Sequence, residues 1–189
     1  MEKLINKEYR IEYKVTNIWE CEIDENVSFE QWVEDKKKGY DVVMETDPIM
    51  EEYDFQVFTE IKINTKSNND IKKIIVFSFY PMDDLVIDQN FLICVLDGYI
   101  YKIDLETLDY INANIEADLG AKINFIRDGY LITDNGMVYC LSKELRQKWS
   151  YSINDEIKEV DIDYFNDIII ISDFENNIFR IDFKGNEMK

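Results

Sequence analysis

The C-terminal half of the chain repeats one pattern of apolar and polar positions. In residues 91–104, 129–142 and 168–182 an apolar run leads to a polar turn and then to an alternating strand. Alternation with a period of two predicts half-buried strands. The first two turns are Asp97-Gly98 and Asn135-Gly136, which are strong hairpin signals because both central residues take positive φ. The pattern therefore predicts three β-hairpins of one design.

The spacing of these hairpins indicates a structural repeat. An apolar–aromatic pair follows each turn, and Val138 lies 38 residues after Ile100 and 40 residues before Ile178. Each hairpin follows a short strand, and these strands open at Leu85, Ile123 and Ile162. A fourth strand follows in the first two copies, over 110–115 and 148–153.

Three or four short antiparallel strands in about 40 residues are typical of a β-propeller blade. We predict three copies, over about 83–120, 121–158 and 159–189. The alternative is an antiparallel meander that never closes into a ring.

The second copy also resembles a known family. NGMVYCLSKELRQKWSY, residues 135–151, is similar to PQQ-like and WD40-like propeller repeats, in which such a turn leads to V-Y-x-L-D and then to a Trp, here Trp149. DGYIYKIDLETLDY in the first copy is similar without the Trp. The resemblance covers about residues 83–189 and implies a small all-β array of antiparallel blades. It does not imply a bound quinone, because quinoprotein enzymes need many more blades, and propellers support many unrelated functions.

The first 80 residues are less regular. Residues 9–24 alternate enough to be either one long strand or a hairpin. Residues 28–38 predict a short helix, with Ser28 as its cap, Gln31 completing a capping box and Gly39 ending it. Residues 54–64 and 71–80 predict two strands around a polar turn. This hairpin lies one repeat length before the first clear copy, so we interpret it as a degenerate blade.

The whole chain would then hold three or four blades. No Gly-, Pro- or Ser-rich linker separates its halves, so we predict one domain over residues 1–189, all-β with a single short helix. The irregular part is residues 1–80 and the repeats fill 81–189.

Charge narrows the classes of partner. The chain has 40 acidic and 21 basic residues, which gives a net charge of −19. Such a surface repels nucleic acid, which needs a basic footprint, and it repels anionic membrane surfaces. It favours a basic protein partner. The alternative interpretation is that the charge serves solubility alone.

Several kinds of chemistry have no support in the sequence. There is no histidine, which removes the commonest general base and most zinc sites, and no glycine-rich phosphate loop is present. Cys94 and Cys140 lie in apolar runs, far from each other and from Cys21, which is typical of reduced core thiols. We therefore expect a protein that is not an enzyme, with no cofactor and no metal.

The sequence also bears on location. The N-terminus has no apolar signal region, and no apolar stretch approaches membrane-spanning length. We expect cytoplasmic residence and no membrane partner.

Carboxylates supply the candidate site. The densest cluster is Asp155, Glu156, Glu159, Asp161 and Asp163. The last three alternate with apolar residues, so on a strand they share one face. Asp83 and Asp84 lie near the equivalent edge of the first copy, and Trp32 on the predicted helix is a candidate interface anchor. Three interpretations stay open for the acids: a solvated face, a docking surface, and a metal or catalytic site.

Together these features predict a non-enzymatic, acidic protein-binding protein. A small, acidic, catalytically bare chain resembles the immunity proteins that bacteria make against nuclease toxins, and this resemblance implies an acidic plug for a basic cleft. The alternatives are a nucleic-acid mimic from a mobile element, a general interaction scaffold, and a metal-dependent hydrolase that uses the aspartates.

Overall fold

The structure is a computed structural model that describes residues 2–46, 55–67 and 69–188. Its contacts divide the chain into two compact units. The first consists of Met1–Met82, Val86–Leu92 and Ile103–Asp109, and the second of Asp83–Leu85, Ile93–Lys102 and Tyr110–Lys189. The prediction of one domain stays a prediction.

A five-stranded sheet and one helix form most of the first unit. The strands are β1 (Glu2–Ile5), β2 (Tyr9–Asn17), β3 (Val42–Glu45), β4 (Val57–Thr65) and β5 (Ile71–Ser78). A 3-10 turn follows at Ile18–Glu20, and α1 spans Phe29–Lys37. The strand order is β1-β2-β4-β5-β3, with β3 parallel to β5 and the other pairs antiparallel.

Local signals explain where α1 begins and ends. The Ser28 hydroxyl accepts a hydrogen bond from the backbone N–H of Gln31 at 3.2 Å, as expected of an N-cap. The Gln31 side-chain amide donates to Asp35, and among the described residues its side chain does not accept from the Ser28 backbone N–H, so the prediction of a complete capping box is wrong. Gly39 has φ of +89°, a conformation that stops a helix. The predicted helix is therefore confirmed, with its last helical residue at Lys37.

The sheet of the first unit differs in detail from the sequence prediction. Residues 9–24 form one strand that ends at Asn17 and then turns, while β1 and β3 were not predicted. Part of the predicted strand over 54–64, Asp54 itself, lies outside the described residues. The sheet also contains a parallel pair, β3 with β5, whereas every strand pair of the second and third repeat sheets, described below, is antiparallel.

Three repeat sheets follow. The first contains β6 (Asp84–Asp88), β7 (Phe91–Leu96), β8 (Tyr99–Asp104) and β9 (Tyr110–Glu116). The second contains β10 (Lys122–Ile126), β11 (Gly129–Thr133), β12 (Met137–Ser142) and β13 (Gln147–Ser152), and the third β14 (Ile157–Asp163), β15 (Ile168–Asp173) and β16 (Ile178–Asp182). In each sheet the strands follow chain order. The prediction of an all-β fold with one short helix is confirmed.

The second and third repeat sheets pack against each other. Leu131, Val138 and Cys140 from the second sheet meet Ile169 and Ile171 from the third, all at 0% exposure. Burying an aliphatic side chain of this size contributes about 1.5–3 kcal/mol. This shared core explains why the apolar positions of the repeat recur at fixed spacing.

The length and composition of the helices bear on whether they could cross a membrane. Within the residues that the structure describes, no helix combines the length and the apolar character needed to cross a bilayer.

Candidate protein-binding surface

The register of the third repeat sheet sorts its side chains onto two faces. Directly paired residues of neighbouring antiparallel strands point to the same side. One side therefore presents three rows across β14, β15 and β16, and we call it the outer face. Its rows are Glu159–Ser172–Ile178, Asp161–Ile170–Arg180 and Asp163–Ile168–Asp182.

The opposite side of this sheet faces the hydrophobic core. It carries Val160, Ile162, Ile169, Ile171 and Ile181, which pack on the second repeat sheet. All nine residues of the outer face are at least partly exposed. The outer face is thus the accessible side of this sheet.

In the second repeat sheet, the face that matches the outer face is covered by a neighbouring sheet. In the second sheet the matching positions are Leu131 and Val138, both completely buried against the third sheet. Their counterparts about 40 residues later are Ile170, which is half-buried, and Ile178, which is 58% exposed. The third sheet therefore keeps an apolar stripe that the described residues cover only in part. Contiguous exposed apolar surface commonly marks an interaction site.

Two carboxylates at the margins of the outer face accept hydrogen bonds from nearby residues of the same chain. Asp163 accepts hydrogen bonds from the backbone N–H groups of Phe165 and Asn166, and from the Asn166 amide. Asp182 is held in the same way by Asn186 and Lys184. These hydrogen bonds, led by those from the asparagine side chains, lower the pKa of both carboxyl groups. Both groups are therefore charged at neutral pH and shape the turns beside the face.

Glu159 and Asp161 are differently placed. Both are exposed, and the Asp161 carboxylate accepts only the neighbouring Ile162 backbone N–H in the described chain. No ion pair within the described ranges involves either residue. Their charge is therefore available to a partner.

The remaining acids of the predicted cluster lie in the loop before β14. Asp155 is half-buried and accepts the backbone N–H of Glu156 at 2.8 Å, while Glu156 is exposed. The structure therefore brings Glu159, Asp161 and Asp163 onto one face and leaves Asp155 and Glu156 ahead of it.

Asp83 and Asp84 have a role inside the chain. Asp83 accepts the backbone N–H of Gly120 at 2.9 Å, and Asp84 accepts that of Ile123 at 2.8 Å. Partial burial raises the pKa of Asp83, with smaller contributions from Asp97 and Asp84. Both carboxylates thus connect the start of β6 with β10 and the turn before it.

One cleft still brings Asp84 near the predicted cluster. It measures about 350 Å³, and Asp84, Asp134 and Glu159 line it together with Lys122 and Lys158. Two lysine side chains offset part of its negative charge. For this reason we centre the candidate site on the outer face and not on the cleft.

Trp32 lies in the first unit, where it helps to hold α1 on the sheet. Its side chain is 9% exposed, its ring stacks on Phe29 at 6.0 Å and meets Phe58 edge-on at 6.0 Å. Lys36 covers the ring at 5.4 Å. These contacts leave little of the indole for a partner, so we do not include Trp32 in the candidate surface.

The remaining groups that could react or bind a metal are the cysteine thiols and the clusters of possible metal ligands. Cys94 and Cys140 are fully buried and Cys21 is half-buried, all three as free thiols. Burial raises the pKa of Cys94 to about 12 and raises that of Cys140. Among residues 2–46, 55–67 and 69–188, no group of three or more His, Cys, Asp or Glu side chains is placed to hold a metal ion.

Some residues of this surface were not predicted from the sequence. Ile170, Ile178 and Arg180 belong to the outer face, yet the sequence marked only its acids. Strand alternation could have assigned them to one side of the sheet. It could not say which side the second sheet covers.

Comparisons with known proteins give the fold and no more. No protein-family model and no curated protein sequence matches the chain. The chain is similar to the solved structure of the computationally designed Ika8 protein, with a TM-score of 0.52 and 13% identity over 72% of this chain and 46% of that one. It is also similar to KlHsv2 with loop 6CD replaced by a Gly-Ser linker, with a TM-score of 0.55 and 11% identity over 69% and 45% of the two chains.

A third similar structure is nearer in length. The computationally designed Ika4 protein matches with a TM-score of 0.51 and 8% identity over 76% of this chain and 92% of that one. This chain thus spans less than half of the first two structures and nearly all of the third. Identities this low show the shared β-rich repeat architecture alone.

Proposed function

We propose that this chain is a non-enzymatic binding protein that holds a basic protein partner against its outer face. The observation that carries the proposal is the combination of two available carboxylates, Glu159 and Asp161, with a partly exposed apolar stripe at Ile170 and Ile178. The net charge of −19 supports the same kind of partner.

The two components of the face would act at different ranges. The overall negative charge attracts a basic protein before contact and raises the association rate. In contact, Glu159 and Asp161 pair with Lys or Arg of the partner. The apolar stripe excludes water and supplies affinity that salt does not screen.

The narrower form of the proposal is an immunity protein that resides in the cytoplasm and neutralises a basic, nuclease-type toxin. A cleft that binds nucleic acid is lined with Lys and Arg. A protein seated over such a cleft would block its substrate without any catalysis of its own. The acidic composition and the acid-flanked apolar face support this form.

The test begins with the genes beside that of this chain, where the immunity form of the proposal expects one that encodes a basic, nuclease-type protein. We expect the two proteins to bind, and we expect affinity to fall about tenfold between 50 and 300 mM NaCl because the Debye length shortens across this range. Isothermal titration calorimetry at both salt concentrations measures the effect. Binding that does not respond to salt would contradict the electrostatic part of the proposal.

Matched variants locate the surface. Glu159→Gln with Asp161→Asn should weaken binding at 50 mM NaCl about tenfold. The control pair Glu22→Gln with Glu25→Gln removes the same charge from two exposed residues of the first unit and should change affinity less than twofold. Equal losses in the two pairs would show that net charge acts without this face.

A second pair of variants tests the apolar stripe. Ile178→Ser should weaken binding at both salt concentrations, because the loss of apolar contact is not screened. Ile71→Ser is the control, since Ile71 is 47% exposed in the first unit. If the nearby basic protein shows no affinity for the chain at either salt concentration, the immunity form of the proposal fails.

A further inference from the structure

The first compact unit contains a cavity that the proposed function does not use. It measures about 550 Å³, a volume within the range of about 300–1,000 Å³ that is usual for small-molecule sites. Residues of three turns line it, between β1 and β2, between β4 and β5, and between β8 and β9. All of these residues belong to the first unit.

Charged groups of both signs line this cavity without neutralising one another. They belong to Lys7, Lys66, Lys72, Glu8, Asp70 and Glu106. Within the described ranges, the three lysines and the two glutamates form no ion pair. Ammonium groups and carboxylates beside the same cavity are therefore both available to a ligand.

Hydrogen bonds hold two of the lysines in place. The Lys66 backbone N–H donates to the Glu8 carbonyl at 2.9 Å, so these oppositely charged residues are neighbours. The Lys66 ammonium donates to the Asn6 carbonyl, and the Lys72 ammonium donates to two backbone carbonyls in the turn between β8 and β9. Because an ammonium has three donors, each lysine keeps at least one for a ligand.

Tyr9 supplies a buried hydroxyl to the cavity. This residue lines the cavity and is only 3% exposed. No described residue forms a hydrogen bond with its hydroxyl, whose oxygen is not sealed off by protein atoms, so the hydroxyl opens onto the cavity. Burial raises the pKa of Tyr9, and the carboxylates of Glu106, Glu8 and Asp104 raise it further. The hydroxyl is therefore protonated at neutral pH and has carboxylates close to it.

The charge of the whole chain narrows the class of ligand. A net charge of −19 repels a small anion, and a small cation meets the three lysines of the lining. A molecule that carries one ammonium and one carboxylate has no net charge and pairs with both sets of groups. An α-amino acid has this arrangement, with the two charges only a few bonds apart.

We propose that this cavity binds a free α-amino acid. The ammonium of the ligand lies between the Tyr9 hydroxyl and the carboxylates of Glu8 and Glu106. Its carboxylate lies against the ammonium groups of Lys66 and Lys72. These contacts use the buried hydroxyl and the un-neutralised charges of both signs at once.

The side chain of the ligand is apolar. Tyr9 and Leu105 are the apolar residues of the lining, and both are almost completely buried. A charged side chain would add a third charge with no partner left for it. L-Leucine is therefore a suitable probe.

This inference goes beyond the proposed function and does not depend on it. It concerns three turns of the first unit, whereas the proposed function uses the outer face of the third repeat sheet. Binding of an amino acid and binding of a basic protein are measured separately, so either can fail alone.

Three ligands with one side chain test the pairing of both charges. At pH 6, L-leucine is a zwitterion, L-leucine methyl ester carries only an ammonium, and N-acetyl-L-leucine carries only a carboxylate. Each is titrated into the full chain, labelled with 15N, and amide shifts are followed by NMR. L-Leucine should shift the amides of Glu8, Lys66 and Glu106 in a saturable way. Each of the other two should bind about tenfold more weakly, because it lacks one charge-assisted contact.

The alternatives give different results in the same titrations. Equal affinity for all three ligands would assign binding to the apolar side chain. Tighter binding of N-acetyl-L-leucine would assign the cavity to anions, and tighter binding of the methyl ester would show only the attraction of a cation to an acidic chain. Any of these results, or no saturable shift with L-leucine, overturns the proposal.

A conservative variant tests the ammonium end of the site. Tyr9→Phe keeps the buried ring and removes only the hydroxyl, and it should weaken binding of L-leucine about threefold or more. Tyr13→Phe is the matched control, because Tyr13 lies on the same strand and is not part of the lining. The control should bind L-leucine as the parent chain does, and equal losses in the two variants count against the proposal.

Lys66→Gln tests the carboxylate end. It should weaken binding of L-leucine about tenfold and leave the weak binding of the methyl ester unchanged, because the ester has no carboxylate. Lys62→Gln removes the same charge from an exposed residue of β4 and should leave both affinities unchanged. Amide spectra that match the parent chain away from the cavity verify that each variant is folded. Equal weakening of the two ligands by Lys66→Gln, or the same effect from Lys62→Gln, overturns the proposal.

Discussion

At the scale of single residues, aspartates of this chain perform two separate tasks. Asp134 is 7% exposed and accepts backbone N–H groups of Gly136 and Met137 at 3.1 and 2.7 Å, and of Asp118 at 3.0 Å. Asp161 is exposed and has no ion pair among the described residues. The same side chain therefore builds a turn where it is buried and remains available to a partner where it is exposed.

We expect Asp134→Ala to lower the free energy of unfolding by about 2–3 kcal/mol. The substitution leaves three backbone donors without their charged acceptor, and losing such an acceptor costs about 1–3 kcal/mol. Urea denaturation measures the change. Asp161→Ala is the control and should stay within about 0.5 kcal/mol of the parent chain; equal effects would contradict the assigned roles.

The three thiols should separate into two classes of reactivity. Cys21 is half-exposed, whereas Cys94 and Cys140 are buried with raised pKa values, and thiolate is the reactive form. At pH 8 a disulfide reagent such as DTNB should react quickly with one thiol per chain and with the other two only after urea unfolds the protein. Cys21→Ser should remove the fast phase. A second fast thiol in the native protein would contradict the burial of the repeat core.

At the scale of elements, neighbouring repeat sheets are joined by specific contacts as well as by apolar burial. Trp149 on β13 donates its indole N–H to the Phe183 carbonyl at 3.0 Å. The turn that begins there passes beneath the indole ring at Gly185, whose φ is +89°. The Trp of one repeat therefore fixes the position of the next repeat's turn.

Gly185→Ala tests this contact. A methyl group at this position would lie 2.7 Å from Cγ of Trp149, so the indole must move, at a cost of about 1–3 kcal/mol beyond the strain of positive φ. Gly120 is the matched control, because its φ is +84° and nothing lies within 4 Å of an added methyl group. Gly120→Ala should show the backbone strain alone. Equal Tm losses for the two variants would contradict the role of Trp149.

At the scale of the whole molecule, the excess of 40 acidic over 21 basic residues makes self-repulsion part of the stability balance. Hydrogen bonds offset this for individual acids, as the lowered pKa values of Asp163 and Asp182 show. A carboxyl group whose pKa is lowered by folding stabilises the native state above its ordinary pKa of about 3.9. That stabilisation is lost as pH falls through the lowered value.

We therefore expect Tm to fall between pH 4 and pH 2.5 as Asp163 and Asp182 are protonated. A variant with Asp163→Asn and Asp182→Asn retains an acceptor for the turn N–H groups without the titrating charge. Its Tm should depend less on pH over the same range. Differential scanning calorimetry from pH 6 to 2.5 compares the two chains; identical slopes would show that other carboxylates dominate acid unfolding.

Much of the fold could be predicted from local patterns. Strand alternation and turn residues placed the strands of the three repeats within a few residues of their positions, and Ser28 and Gly39 bounded α1 correctly. The strands β1 and β3 were missed because four-residue strands carry too little pattern, and β3 depends on pairing with β5, about 30 residues away. Such pairing is a tertiary contact that no local signal encodes.

The candidate site, like the fold, could be predicted from the sequence only in part. The alternation of Glu159, Asp161 and Asp163 with apolar residues determined by itself that the three acids share a face, since side chains of a strand alternate between its sides. Only the tertiary structure decided that this face is accessible and that Ile170, Ile178 and Arg180 stand beside the acids. Which side of a sheet is covered depends on the sheet packed against it. That partner comes from residues 122–152, a separate part of the chain.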